Sequence, residues 1–179
     1  MGKVFEGIDE TLRAWIAKQP MFFVATAPLA ADGRVNVSPR GHDSFSVLDE
    51  HRVAWVDYTG SGVETIAHLR ENGRICVMFC SFDNRPRVVR LHGRGRVHLP
   101  GDAEYDEVVA RHPDHPSTRA VVVVDVERVS DSCGYGVPVM EVVGERDLLL
   151  LHAQRKGPDG LVAYRAEKNA TSIDGLAGL

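Results

Sequence analysis

Residues 52–82 read RVAWVDYTGSGVETIAHLRENGRICVMFCSF, and the fold turns on how this stretch changes its period. RVAWVDY (residues 52–58) reads as a strand, and the glycines of TGSG (59–62) break it. Val63, Ile66, Ala67 and Leu69 then recur at helical spacing, with Gly73 placed to end the helix. RICVMFCSF returns to a period of two and sets Cys76, Met78 and Cys80 on one face.

The same alternation extends outward. Downstream, PRVVRLHGRGRVHL (86–99) follows a short turn at Asp83-Asn84-Arg85, with Gly93 and Gly95 suited to a bend or bulge. DAEYDEVVARH (102–112) is a short amphipathic helix, and RAVVVVDVERVSD (119–131) a long, largely buried strand. Upstream, MFFVATA (21–27), a turn over Ala30–Gly33 and RVNVS (34–38) form a hairpin, with DSFSVLD (43–49) as the strand before RVAWVDY. The first helix, IDETLRAWIAKQ (8–19), has Asp9 at its start. After SCGYGVP (132–138) the chain turns helical in ERDLLLLHAQRKG (145–157), breaks at Pro158-Asp159-Gly160, resumes in LVAYRAEKN (161–169) and ends in the aperiodic tail ATSIDGLAGL. Six or so antiparallel strands with few long helices between them argue against a βαβ sheet. The expected class is mainly β (α+β): a six-stranded antiparallel barrel, closed so as to remove its edges, with flanking helices. With 179 residues and no repeat or linker, residues 1–179 read as one domain with a C-terminal helical extension.

Composition narrows the function. A net charge of −4 gives no general attraction to nucleic acid or anionic membrane, so phosphate recognition has to come from a local cluster. No apolar run is long enough to span a bilayer, and the N-terminus lacks the layout of a secretion signal, so the expected location is cytoplasmic. Three cysteines fit reduced thiols rather than a disulfide framework. His112-Pro113-Asp114-His115-Pro116 reads as a surface turn, and no metal site is expected.

The chemistry concentrates at Tyr58–Thr65. The chain leaves a strand, crosses Gly60 and Gly62 and enters a helix, an arrangement in which backbone N–H groups and the helix dipole favour an anion. Ser61 and Thr65 add hydroxyls. Ser61-x-x-Glu64 is equally a capping box, so both readings stay open here. Arg40, at the end of a hairpin strand, and Arg87, at the start of another, are candidate phosphate ligands. Arg94 and Arg96 read as surface residues.

Taken together, FFVATA, RVNVSPRG, DYTGSGVETIAHLRENGRICVMFCSF, PRVVRLHGRGRV, DSCGYGVP and EKNATSIDGL resemble, in order, the pyridoxamine 5′-phosphate oxidase-like family of FMN-binding split barrels. The resemblance covers most of the chain from Phe22 onward and implies a homodimeric FMN-dependent oxidoreductase acting on a small molecule. It implies Ser38, Arg40 and Gly41 beside the flavin ring or ribityl chain. Thr59, Ser61, Gly62 and Thr65 fall near the phosphate, and Arg87 reaches in from the second subunit. Where the oxidases themselves carry a Ser-Arg-Lys clamp, this chain has Glu64-Thr65-Ile66, and its tail lacks their substrate motif. Vitamin B6 phosphate oxidation is therefore not the expected reaction. Relatives on the same barrel use the deazaflavin F420 or haem, and a non-catalytic flavin-binding role is the remaining alternative. No general acid or base stands out. Cys133, Gly134 and Tyr135 are expected to wall the substrate pocket, with the tail from Asn169 to Leu176 as a mobile lid.

Overall fold

The computed structural model describes residues 2–179. Its frame is a single antiparallel sheet built from the period-two segments. These are β1 (Val4–Phe5), β2 (Phe22–Thr26), β3 (Asn36–Arg40), β4 (Phe45–Val47), β5 (Arg52–Tyr58), β6 (Arg74–Cys80), β7 (Val88–His98) and β8 (Thr118–Ser132). The helices are α1 (Glu10–Ile16), α2 (Glu64–Asn72), α3 (Ala103–Val109) and α4 (Leu148–Lys168). The strand order is β3-β2-β6-β7-β8-β5-β4, with β1 paired to β8.

The sheet has eight strands rather than the expected six. The two-residue β1 is too short to show alternation and exists because Val4 and Phe5 pair with Ser130 and Val129 of the long β8. Nor does the barrel close by a ladder: β3 and β4 are its two edges, and the sheet is a curled, split barrel. Side chains bridge the split instead, as Arg40 of β3 reaches Asp57 of β5.

Alternation decides what each face buries. Val53 and Trp55 of β5, Val77 and Phe79 of β6, Leu91 of β7 and Val122 and Val124 of β8 fill the interior with Leu12 and Ile16 of α1. The other face of β5 and β8 (Ala54, Val56, Val121, Val123) is covered by Val108 of α3. Each of the larger side chains among these contributes roughly 1.5–3 kcal/mol on burial. α1 begins as expected, with Asp9 accepting the Leu12 N–H at 2.7 Å. Gly73, at φ 70°, ends α2 in the left-handed conformation. Gly157, at φ 67°, breaks α4 into two helical pieces where the sequence placed the break. Cys76, Cys80 and Cys133 are free thiols. No helix among the described residues is long and apolar enough to cross a membrane.

Two bulges in β8 shape the molecule. His92 pairs with Arg128 and Gly93 with Val126, which leaves Glu127 unpaired. A Cβ on Gly93 would lie 2.0 Å from the Asp125 carbonyl oxygen, with the Asp125 carbonyl carbon and Val126 Cα within 3.0 Å. Gly93→Ala is expected to cost roughly 2–3 kcal/mol in urea unfolding. Gly136→Ala, which meets nothing within 4 Å, is expected to stay within about 0.5 kcal/mol. Equal midpoints for the two variants would contradict the close approach. The second bulge lies at Asp57/Tyr58, where Asp57 faces Ala120, Tyr58 faces Thr118 and Arg119 becomes the extra residue.

Candidate functional site

Residues 59–62 leave β5 and enter α2 over a buried polar floor. Thr59 is buried, and its N–H and hydroxyl both donate to the Ser117 carbonyl, at 2.7 and 2.8 Å. The Gly60 carbonyl accepts from Asn169 Nδ2 at 3.0 Å and from Arg119 at 3.4 Å. The capping box does not form. Val63 is the N-cap of α2, no side chain caps the helix, and the Glu64 carboxylate accepts the Ile173 N–H at 3.3 Å instead. The N–H groups of Ser61, Gly62, Glu64 and Thr65 thus find no acceptor among the described residues. The reading of this loop as an anion cradle gains what the capping reading loses.

Beneath the loop lies an ionic cluster. Val53, Trp55 and Asp57 share the inward parity of β5, so a carboxylate ends a row of core side chains, fully buried. Asp57 accepts from Arg40 and, at 2.7 Å, from Arg119 Nε. Arg40 lies over the Trp55 ring, 5.7 Å from its centroid. Burial alone would raise the Asp57 pKa. The charges and hydrogen bonds of Arg40 and Arg119 outweigh it and hold the carboxyl below the ordinary aspartate value. Two guanidiniums against one carboxylate leave one positive charge over.

A cavity of about 280 Å3 opens above this cluster, lined by Ser38, Arg40, Ser61, Gly62 and Thr65, with Asn36, Tyr58, Glu64 and Arg119. Thr65 Oγ1 accepts from Asn36 at 3.1 Å and from Arg40 at 3.4 Å, which leaves its hydrogen free to donate. Asn36 also reaches Thr26, whose hydroxyl meets Nδ1 of the buried His68 at 3.0 Å. Burial pushes the His68 imidazole pKa down. Ser38 Oγ and Arg40 Nε are buried with no hydrogen-bond partner.

Five of the expected residues, Ser38, Arg40, Ser61, Gly62 and Thr65, therefore meet around one cavity. Thr59 sits behind the loop and holds it. Gly41 lines an adjoining cavity of about 410 Å3 that shares Pro39 and Arg40 and adds Met21, His42, Phe82 and Met140. His42, at φ 58°, is the one non-glycine residue with positive φ among those described. Arg87, Cys133 and Tyr135 line a separate cavity with Trp15 and Asp131. There Arg87 bonds Asp131 at 2.9 and 3.1 Å and lies over the Trp15 and Phe5 rings. Gly134, at φ 65°, packs on the Arg87 backbone. In this chain these four do not join the loop. Asn36, Asp57 and Arg119 were not among the residues expected in the site, and Asn169 was expected there only as the start of a lid. Only Asp57 carried a signal, a charge at an inward position of an apolar strand. The tail is not a free lid: Asn169 and Ser172 are buried, and Asp174 holds the Arg34 N–H at 2.7 Å.

The family profile of pyridoxamine 5′-phosphate oxidase matches residues 8–133. A pyridoxamine 5′-phosphate oxidase family protein of Aspergillus flavus, ustO, is 42% identical over 193 residues, covering 98% of this chain and 77% of that protein. Among solved structures, HupZ of Group A Streptococcus aligns with a TM-score of 0.53 at 22% identity, over 68% of this chain and 91% of HupZ. A Clostridium acetobutylicum protein related to general stress protein 26, of the pyridoxinephosphate oxidase family, aligns with a TM-score of 0.52 at 15% identity, over 79% of this chain and 99% of its own. The two structures agree with the split barrel. The profile, spanning far more than half of the residues, and the fungal relative agree on descent, and the chain belongs to the pyridoxamine 5′-phosphate oxidase family.

Proposed function

We propose that the chain binds FMN, with the phosphate in the cavity at residues 59–65, and acts as a flavin-dependent oxidoreductase on a small organic substrate or a reduced nicotinamide. The observation that carries this reading is the unused donor set. Four backbone N–H groups without an acceptor and the Thr65 hydroxyl belong to residues that line one cavity, where the guanidiniums of Arg40 and Arg119 face the Asp57 and Glu64 carboxylates. These groups suit a phosphate oxygen cage, and a single anion cradle suits a mononucleotide rather than a dinucleotide. Ser38, Arg40, Ser61, Gly62 and Thr65 would hold the phosphate and ribityl chain, with Thr59 fixing the loop from behind. Gly41 and the adjoining cavity, lined by Met21, Phe82 and Met140, offer the ring an apolar seat. When bound, FMN supplies a ring that accepts a hydride, while the protein supplies orientation and exclusion of water.

The same reading includes a homodimer. Val139, Met140, Val142 and Val143 are more than half exposed, an apolar run that a second copy would cover. Arg87, with Cys133, Gly134 and Tyr135 beside it, would serve the site from the second subunit.

Purified protein should release FMN on denaturation, identified by chromatography. Ser61→Ala and Thr65→Ala should each weaken FMN about fivefold to tenfold and leave riboflavin, which lacks the phosphate, almost unchanged. Equal losses for both ligands would mark a folding effect. Protein that stays colourless and takes up no added FMN would refute the reading.

A further inference from the structure

Asn169 is the first residue after α4, yet its side chain is fully buried and makes two bonds at the base of the loop. Its Oδ1 accepts from Arg119 at 2.8 Å, and its Nδ2 donates to the Gly60 carbonyl at 3.0 Å. In a trans peptide the carbonyl of one residue and the N–H of the next point in opposite directions. Drawing the Gly60 carbonyl inward therefore turns the Ser61 N–H toward the cavity. Glycine at position 60 has little preference of its own among backbone conformations, so an outside group must choose the orientation of that peptide. Arg119 makes the only other contact to this carbonyl among the described residues, at 3.4 Å, with the same guanidinium nitrogen that Asn169 holds.

We propose that Asn169 is a positioning residue for phosphate: from the tail, it sets the 60–61 peptide so that the loop presents its N–H groups to an anion, and it orients Arg119 against Asp57. This rests on the FMN reading above and adds to it a second element of the chain, beyond the loop itself. The rest of the tail keeps Asn169 in register. Asp174 bonds Arg34, Arg70 bonds the Gly178 carbonyl, and Leu179 packs on Val63, Ile66 and Ala120.

The test compares FMN with riboflavin on the full-length protein. Asn169→Ala removes both bonds. Asn169→Leu removes both bonds while keeping the bulk and adding no charge, and Asn169→Asp keeps an acceptor for Arg119 but cannot donate to Gly60 and adds a negative charge. Asn169→Ala and Asn169→Leu, like Asn169→Asp, should bind FMN about tenfold more weakly than wild type, with riboflavin affinity changed by less than about twofold. The 31P resonance of bound FMN should move in all of them. A purely structural role would weaken the two ligands alike and leave the phosphate resonance in place. If Asn169→Ala is recovered only unfolded, the uncharged Asn169→Leu takes its place, and a loss seen in Asn169→Asp alone counts as a charge effect and overturns the positioning role. Wild-type selectivity retained in Asn169→Asp overturns the positioning role and leaves the FMN reading intact. A wild-type protein that does not distinguish FMN from riboflavin overturns both.

Discussion

Asp57→Ala should cost the fold on the order of 3–5 kcal/mol, because it strips the shared counter-charge from two guanidiniums. Asp57 is fully buried and Arg119 nearly so, while Arg40 is mostly covered, so water cannot compensate. A loss of that size is a large part of the stability of an ordinary domain, about 5–15 kcal/mol. Asp57→Asn keeps the shape and fails for the same reason, since an amide brings no charge. Urea unfolding at neutral pH measures the loss, and a change below about 1 kcal/mol would mean that the cluster is not buried in solution. Acid should act on the same group. The folded carboxyl lies below its ordinary value of 3.8, so the unfolded chain takes up the proton first. Its contribution is fully present above about pH 4 and is lost as pH falls through the lowered folded value. Wild type should therefore lose stability on acidification more steeply than Asp57→Asn, and parallel pH profiles would remove Asp57 from the account.

What the residues disclosed in advance, and what they did not, follows from parity. Ser38 came forward only through the family resemblance; it stands two residues from Arg40 on β3, which puts the two on one face, and both line the cavity. The strand-glycine-helix passage of residues 58–65 also announces itself, because glycine and a change of period are local signals. Arg119 could not be found that way. Counting by twos along β8 puts it on the face opposite Val122 and Val124, and only the bulge at Asp57/Tyr58 re-aims it inward. A bulge is a property of two strands together and leaves no mark on either alone. Ser61-x-x-Glu64 shows the reverse failure. The motif is present, but the Glu64 side chain is drawn to the Ile173 N–H by a tail 109 residues further on. Arg87 lies, within this chain, on Asp131 and two aromatic rings and away from the loop, so a place for it in the site would have to come from a second copy.

Truncation after Lys168 is expected to weaken fold and cofactor site together. A mobile lid could be removed with little change in melting temperature or flavin affinity, slowing only the reaction of bound substrate. The structure gives the tail a different character. Residues 169–179 place a buried amide between Gly60 and Arg119, a carboxylate on Arg34, a carbonyl on Arg70 and a terminal leucine on the first turn of α2. The two hydrogen bonds of the buried Asn169 amide and one partly buried apolar contact together are worth about 3 kcal/mol, so the truncated chain should melt several degrees lower. Its FMN affinity should fall at least as far as that of Asn169→Ala, because Arg119 and the Gly60 carbonyl lose the same partner. Differential scanning fluorimetry with and without FMN reads both quantities in one experiment: a strap lowers the melting temperature and shrinks the shift that FMN produces. An unchanged melting temperature with an unchanged FMN shift would return the tail to the status of a lid. The aperiodic sequence ATSIDGLAGL suggests such freedom only because its contacts are long-range and specific, made one residue at a time rather than by a repeating face.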